Sequence, residues 1–140
     1  MLDLSSLTNA CASLHESLDV IERYLKNGGS EDQPEYRTFR AGAIQNFEFT
    51  YELSWKAMRS WIADNISKTM VDGITRKELF RFAAENTLIT DPVAWFSYHR
   101  LRNQTSHTYE SATAIEVFSH IEVFLSSAQK LLNTLNEKND

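Results

Sequence analysis

The sequence predicts an all-α fold, an antiparallel up-down helical bundle of three long and two short helices. Three observations predict this fold class. Apolar residues recur at alternating spacings of three and four along most of the chain, as they do on one face of a helix. The 140 residues include only 4 glycines and 2 prolines, too few for the many turns of an all-β fold. A composition of 42% hydrophobic and 24% charged residues is that of a globular protein, and we expect one domain spanning residues 1–140.

The first predicted helix has a regular apolar stripe and a clear end. Asn27-Gly28-Gly29-Ser30 ends the helix, since glycine and asparagine interrupt helical periodicity. His15 lies off the stripe, and we expect it to be exposed to solvent. The single cysteine excludes a disulfide within the chain and favours a reducing compartment. The residues of the stripe are Leu4, Leu7, Cys11, Leu14, Leu18, Ile21 and Leu25.

The second predicted helix, from about Glu35 to about Asn65, is apolar on more than one face. A helix of this kind is normally covered on more than one side, by a further helix or by a partner subunit. We therefore expect its aromatic residues to be divided between the core and a dimer contact, and a platform on which nucleic-acid bases stack is the alternative. The aromatic residues concerned are Phe47, Phe49, Tyr51, Trp55 and Trp61.

Signals for helix starts mark the remaining three helices. A capping box at Thr75 and Glu78 begins a short third helix. Asp91-Pro92 supplies an N-cap and a first-turn proline for the fourth. A second capping-box pattern, with Thr at 113 and Glu at 116, predicts the start of one long final helix, whose apolar stripe continues to Leu135.

The stretch HRLRNQTSHTYE, residues 99–110, interrupts the helical pattern and concentrates polar side chains that can carry chemistry. It contains His99, Arg102, Asn103, His107 and Tyr109. On a continuous helix, Arg102 and His107 would point about 140° apart, so they act together only if the helix stops near Asn103 or if they meet across a symmetric dimer. The Gln, Thr and Ser that follow Asn103 compete for backbone hydrogen bonds and favour such a stop. Beyond it, an extended backbone would place His107 and Tyr109 on one side.

Arginine, histidine and tyrosine suit phosphate chemistry at neutral pH. An imidazole can take a proton from a ribose hydroxyl and return it to a leaving oxygen. A guanidinium binds phosphate and stabilises the charge that develops on it, so the reaction needs neither a metal nor a cofactor. The structural alternative is an arginine at a helix C-terminus followed by a solvated loop histidine.

Two further pairs at helical spacing, Glu48 with Glu52 and Glu116 with His120, raise the possibility of a metal site in the bundle. Neither pair has the Glu-x-x-His spacing of di-iron bundles, and no second cysteine is present. We expect surface pairs and no bound metal.

The charge of the chain is acidic overall and uneven. A net charge of -5 is unfavourable for non-specific binding to nucleic acid over the whole surface. The segment 65–109 is the exception, and its basic residues are compatible with a local anion site. No leader-like segment and no apolar run of membrane-spanning length is visible, so we expect a soluble cytoplasmic protein. The basic residues of the segment are Lys68, Arg76, Lys77, Arg81, Arg100 and Arg102, against Asp72, Glu78, Glu85 and Asp91.

Two separated motifs resemble a known family. The stretch from Arg102 through His107 to Tyr109 matches the R-x4-H-x-Y signature of HepT-like proteins in the HEPN superfamily. The segment from Ile44 to Arg59 resembles the second-helix signature of the nucleotidyltransferase substrate-binding proteins of the same superfamily. The resemblance covers nearly the whole chain.

The resemblance implies a bundle that dimerises, with the motifs of both subunits lining one cleft. Family members assemble with a minimal nucleotidyltransferase, and in toxin–antitoxin pairs the HEPN protein is a metal-independent RNase. Carried over to this chain, Arg102 would hold the scissile phosphate and His107 would do the acid–base work. His99 and Asn103 would support them. Tyr109 would be the residue that the partner blocks by adding AMP.

Two other functions remain open at this point. One is a substrate- or nucleotide-binding subunit of a two-component nucleotidyltransferase, without catalysis of its own. The other is a structural dimer that only positions the nucleotidyltransferase. The intact R-x4-H-x-Y motif favours the RNase, because a binding subunit has no evident need for an acid–base histidine.

Overall fold

In the computed structural model, which describes residues 1–139, six α-helices account for most of the chain and no strand is formed. The all-α prediction is confirmed, and the predicted number of five helices is wrong. Two short 3-10 turns lie at Thr69–Val71 and Thr105–His107. The helices are α1 (Ser5–Lys26), α2 (Pro34–Asn65), α3 (Arg76–Glu85), α4 (Pro92–Gln104), α5 (Ser111–Ser119) and α6 (Ile121–Lys138).

Helix α1 buries most of the stripe that the sequence predicts. Leu18 is only partly buried, and Leu25, the last member, is 39% exposed. The helix ends where Gly28 adopts a φ of 90°, a left-handed conformation that glycine tolerates and other residues resist. His15 is exposed, as the sequence predicts. The buried members of the stripe are Leu4, Leu7, Cys11, Leu14 and Ile21.

Helix α2 is the longest element and runs through the centre of the fold, where it packs along α1 and also against α3, α5 and α6. Its aromatic residues divide between interior and surface. Phe47 and Tyr51 are each 1% exposed, whereas Phe49 is 53% exposed. Trp55 and Trp61 are half-buried. The prediction that some of these aromatic residues lie in the core is therefore confirmed.

The predicted caps of α3 and α4 form. Thr75 Oγ1 accepts from the Glu78 N–H at 3.2 Å and donates to Glu78 Oε1 at 2.9 Å. Asp91 Oδ1 accepts from the Ala94 N–H at 3.1 Å, and Pro92 occupies the first turn of α4.

The predicted final helix is two helices. Helix α5 begins at Ser111, so Thr113 lies inside it rather than at its cap, and His120 separates α5 from α6. The Ser119 hydroxyl donates to the Glu116 carbonyl at 2.6 Å, which competes with the backbone ladder of the helix. Apolar residues keep their spacing across the break, and for this reason periodicity did not reveal it.

An aromatic cluster fixes α4 against the centre of the fold. The ring of Phe124 on α6 is fully buried and lies 4.8 Å from Phe47, 5.1 Å from Tyr98 and 5.9 Å from Trp95, measured between ring centroids. Trp95 and Tyr98 belong to α4, so these contacts hold the helix that carries His99 and Arg102. Among residues 1–139, no helix is long and apolar enough to cross a membrane.

Candidate functional site

Arg102 lies in the last turn of α4 and faces two carboxylates of α2. Its Nε is 3.4 Å from Glu52 Oε1, and its Nη1 is 3.8 Å from Glu48 Oε2. The Nε–H forms no hydrogen bond in spite of the short distance to Glu52, so this contact is an ion pair without good hydrogen-bond geometry. The two glutamates, four residues apart, pair with an arginine and are not an isolated surface pair.

Thr105 ties the side chain of Arg102 to the end of α4. Its hydroxyl donates to the Arg102 carbonyl at 2.7 Å and accepts from Arg102 Nη1 at 3.0 Å. The helix stops at Gln104, one residue after the predicted position, and the chain continues as the 3-10 turn Thr105–His107. A single buried hydroxyl therefore both ends the helix and orients the guanidinium.

His107, the last residue of this turn, and Tyr109, two residues later, are both exposed. Their ring centroids are 6.0 Å apart in an edge-to-face arrangement, and Tyr109 is 78% exposed. The two rings are thus close together on the surface, but not through the extended backbone that the sequence predicts: His107 ends the 3-10 turn, and Thr108 has a helical φ of -73° and ψ of -3°. Asn103 is also exposed, and its carbonyl accepts from the Ser106 hydroxyl at 3.3 Å. Within residues 1–139, Arg102 and His107 share no direct hydrogen bond, although only the 3-10 turn separates them.

His99 occupies a different environment from His107. It is half-buried on α4, and its Nδ1 lies 2.7 Å from the hydroxyl of Tyr51. Burial, reinforced by the positive charge of Arg76, lowers the pKa of His99. Burial also raises the pKa of Tyr51 well above its ordinary value. The imidazole is therefore neutral and the phenol protonated at neutral pH.

Arg76, the first residue of α3, joins this cluster, although only its charge marked it in the sequence. Its Cζ lies 3.2 Å from the ring centroid of Trp55, a close cation–π contact. Trp55 Nε1 in turn donates to Glu52 Oε2 at 3.1 Å. Sequence reasoning missed the roles of Tyr51, Trp55 and Arg76, because no spacing rule relates α2 or α3 to the polar stretch.

A groove of about 200 Å³ lies beside Tyr109. Arg37 and Arg40 of α2 line one side, and Thr108, Tyr109 and Ser111 line the other. Two guanidinium groups and two hydroxyls next to an exposed phenol form an environment suited to a phosphate. A larger groove, of about 650 Å³, lies between α1 and α6 and contains none of the residues of the polar stretch.

In the other candidate pair, Glu116 and His120, the carboxylate of Glu116 faces Arg100. Arg100 Nη1 lies 3.6 Å from Glu116 Oε1. In the part of the chain that the structure describes, no group of three or more His, Cys, Asp or Glu residues is placed to hold a metal ion.

The fold and the site together define an all-α protein that presents arginine, histidine and tyrosine at a break between two helices. Residues 2–137 match the family described as "Nucleotidyltransferase substrate binding protein like", and the chain belongs to this family.

Similar proteins agree with this assignment. The chain is 40% identical over 103 residues, 73% of its own length and 70% of the relative's, to the Haemophilus influenzae protein named "Probable ribonuclease HepT". It resembles the structure of HI0074 of Haemophilus influenzae, described as the fold of a substrate binding domain of a nucleotidyltransferase, with a TM-score of 0.85 and 35% identity. That match covers 96% of this chain and 99% of the other. A Thermus thermophilus structure shares the fold, with a TM-score of 0.62 and 23% identity over 87% of this chain and 98% of the other.

Proposed function

We propose that this protein is the HEPN-type component of a two-protein nucleotidyltransferase module and acts as a metal-independent RNase toxin. One observation carries the proposal: the guanidinium of Arg102 is held by Glu48, Glu52 and Thr105, while the imidazole of His107 is exposed one 3-10 turn away. A fixed guanidinium and an accessible imidazole at the same helix end suit the cleavage of an RNA phosphodiester. The likeness to a relative named as a ribonuclease supports the same conclusion.

The chemistry assigned to the two residues is a transesterification. His107 takes the proton of a ribose 2′-hydroxyl, and the 2′-oxygen attacks the adjacent phosphorus. The bond from phosphorus to the 5′-oxygen breaks, and His107 returns the proton to that oxygen, which leaves a 2′,3′-cyclic phosphate and a 5′-hydroxyl. Arg102 holds the phosphate and stabilises the charge of the pentacoordinate transition state. We assign supporting roles to Asn103, which is exposed at the end of α4, and to His99, which is half-buried on the same helix.

Substitutions of His107 and Arg102 test the proposal. We expect His107→Ala to lower the rate of RNA cleavage by at least about a hundredfold, the low end of a general acid–base contribution, without unfolding the protein. Arg102→Gln should cause a similar loss. His15→Ala is the matched control, because His15 is an exposed histidine of α1 outside the site. Cleavage that survives in both site variants would contradict the proposal.

Tyr109 is proposed as the point of regulation. Its exposed phenol would attack the α-phosphorus of ATP bound to the partner nucleotidyltransferase, forming a phosphodiester to AMP and releasing pyrophosphate. The exposure of 78% and the neighbouring Arg37 and Arg40 support this assignment. We expect coexpression with the partner to add one or more AMP units to the intact mass, and Tyr109→Phe to prevent the gain. An unchanged mass with an active partner would contradict it.

A nucleotide-binding subunit without catalytic activity is the second candidate. The arginine-lined groove beside Tyr109 favours it, because a binding subunit needs such a groove for the phosphates of its nucleotide. The two functions differ in their response to His107→Ala. The RNase loses cleavage and keeps its partner, whereas the binding subunit loses nucleotide affinity and has no cleavage to lose.

We also propose that the protein acts as a homodimer in the cytoplasm. Phe49, on the central helix α2 and 53% exposed, supports a contact between subunits through a helical face. Sedimentation of the protein and of Phe49→Ser tests this, and a monomeric parent protein would contradict it.

A further inference from the structure

A cluster of polar and aromatic side chains lies near Arg102, outside the motif that spans Arg102 to Tyr109. It comprises Arg76, His99, Tyr51 and Trp55, contributed by α3, α4 and α2. His99 and Arg102 are three residues apart on α4, so their Cβ atoms are about 5–6 Å apart on one helix face. The two groups are therefore neighbours in space.

Arg76 is a cation held in place without a carboxylate. It makes no ion pair within residues 1–139, in contrast to Arg102, which faces two glutamates. Its Nε is buried and has no hydrogen-bond partner in the same part of the chain. The ring of Trp55, 3.2 Å from the Arg76 Cζ, fixes the plane of the guanidinium. A guanidinium over an aromatic face keeps the N–H donors of its edge available for an anion.

The contact between Tyr51 and His99 sets which nitrogen of His99 carries its proton. The buried Tyr51 hydroxyl stays protonated and is 2.7 Å from His99 Nδ1. We assign the O–H of Tyr51 as the donor to Nδ1, the pairing in which the neutral imidazole carries its hydrogen on Nε2. His99 Nε2 is thus a hydrogen-bond donor that needs no positive charge of its own. Its ring is close enough to Arg76 and Arg102 that, besides burial, both positive charges lower its pKa.

We propose that Arg76 and His99 form a second phosphate-binding subsite, which holds the nucleotide phosphate next to the one bound by Arg102. Trp55 and Tyr51 act as positioning residues, Trp55 for the guanidinium and Tyr51 for the imidazole. The inference rests on the proposed function, since it takes Arg102 as the site of the first phosphate. The bound group is a nucleotide phosphate, from either an RNA strand or a free mononucleotide.

Binding measurements on uncleavable probes test the subsite separately from catalysis. The probes are a 2′-O-methyl oligoribonucleotide of mixed sequence, which lacks the attacking hydroxyl, and ATP. We expect Arg76→Gln and His99→Phe each to weaken binding of at least one probe about tenfold, because each loses a hydrogen bond to a charged group. The probe that is affected identifies the source of the phosphate. Lys77→Gln is the matched control, an equal change of charge at the next residue of α3, whose side chain points to Phe96.

Conservative variants separate a binding role from a structural one. His99→Gln keeps an N–H donor and should retain most of the affinity, whereas Arg76→Lys keeps the charge but loses the planar contact with Trp55 and should bind more weakly. Equal affinities of Arg76→Gln and Lys77→Gln for both probes would overturn the proposal, as would a parent protein that binds neither.

Nitrogen NMR of the histidine side chains gives a readout that needs no ligand. We expect the resonances of His99 at pH 7 to show protonated Nε2 and unprotonated Nδ1, and Tyr51→Phe to shift the Nδ1 resonance, because that nitrogen loses its hydrogen bond. A proton on Nδ1 would overturn the assigned geometry. If Arg76→Gln weakens binding while His107→Ala leaves RNA cleavage unchanged, the subsite stands and the RNase function fails.

Discussion

Replacement of Thr105 by valine removes one hydroxyl at the centre of the site. Valine has nearly the shape of threonine, so the change affects hydrogen bonding far more than packing. The hydroxyl donates to the Arg102 carbonyl at 2.7 Å and accepts from Arg102 Nη1 at 3.0 Å. Both bonds are lost in the variant.

The loss of stability in Thr105→Val is limited, because Arg102 keeps its other contacts. The Arg102 carbonyl still accepts from the backbone N–H of Thr105, and the guanidinium is 32% exposed and keeps its two glutamates. Two hydrogen bonds of ordinary strength give a loss of about 1–2 kcal/mol in the free energy of unfolding. For a chain of this length, that loss lowers Tm by roughly 3–8 °C.

The effect on RNA cleavage should be larger than the effect on stability. Without Thr105, the guanidinium of Arg102 is held by loose ion pairs alone, and a small displacement of a positioning group can cost roughly ten- to a hundredfold in rate. Thr108→Val is the matched control: its hydroxyl donates to the Thr105 carbonyl at 3.0 Å, without a bond to Arg102. Urea unfolding and RNA cleavage are measured on both variants. If Thr105→Val cleaved RNA as fast as Thr108→Val, the anchoring of Arg102 by Thr105 would be refuted.

Three further predictions concern the core and the titrating groups. Phe124→Ala, at a fully buried ring among four aromatic side chains, should lower the free energy of unfolding by about 3–5 kcal/mol, as read from urea denaturation. Because the pKa of His99 is lowered in the folded protein, protons bind the unfolded chain more tightly, and stability should fall as the pH drops below about 6.5. His99→Gln should show a smaller fall in its urea midpoint between about pH 7.5 and 5, and an equal fall would contradict the burial of His99. Burial raises the pKa of Cys11 to about 11, so native protein at about pH 8 should resist alkylation that unfolded protein undergoes, as measured by mass spectrometry.

The parts of the fold that depend on local chemistry were predictable from the sequence. The caps at Thr75 and Asp91 and the buried stripe of α1 follow from short-range patterns, and each is present. The break at His120 was not predictable in this way, because the apolar residues on either side keep the same spacing. In the structure, a hydrogen bond from the Ser119 hydroxyl to the Glu116 carbonyl, one helical turn earlier, marks the break. Serine makes the same bond in unbroken helices, so its presence does not predict a break.

In the candidate site, too, the features set by neighbouring residues were more predictable than the contacts between separate helices. The stop after Gln104 follows from the composition of the polar stretch, whereas the closeness of His107 to Tyr109 arises from a 3-10 turn and a helical Thr108 rather than from the predicted extended backbone. The partners of Arg102 and His99 lie about fifty residues earlier on α2, and Arg76 lies on α3. Contacts between separate helices depend on how the helices pack, which no spacing along one helix determines. For this reason Glu48 and Glu52 looked like an isolated pair in the sequence.

The ends of the RNA fragments test the central claim most directly. The purified protein is incubated with single-stranded RNA in excess chelator, and the products are analysed by mass spectrometry. We predict 2′,3′-cyclic phosphate and 5′-hydroxyl ends, formed by the parent protein and by His15→Ala but not by His107→Ala. Products with 3′-hydroxyl and 5′-phosphate ends, or cyclic phosphate formed equally by His107→Ala, would contradict cleavage by Arg102 and His107.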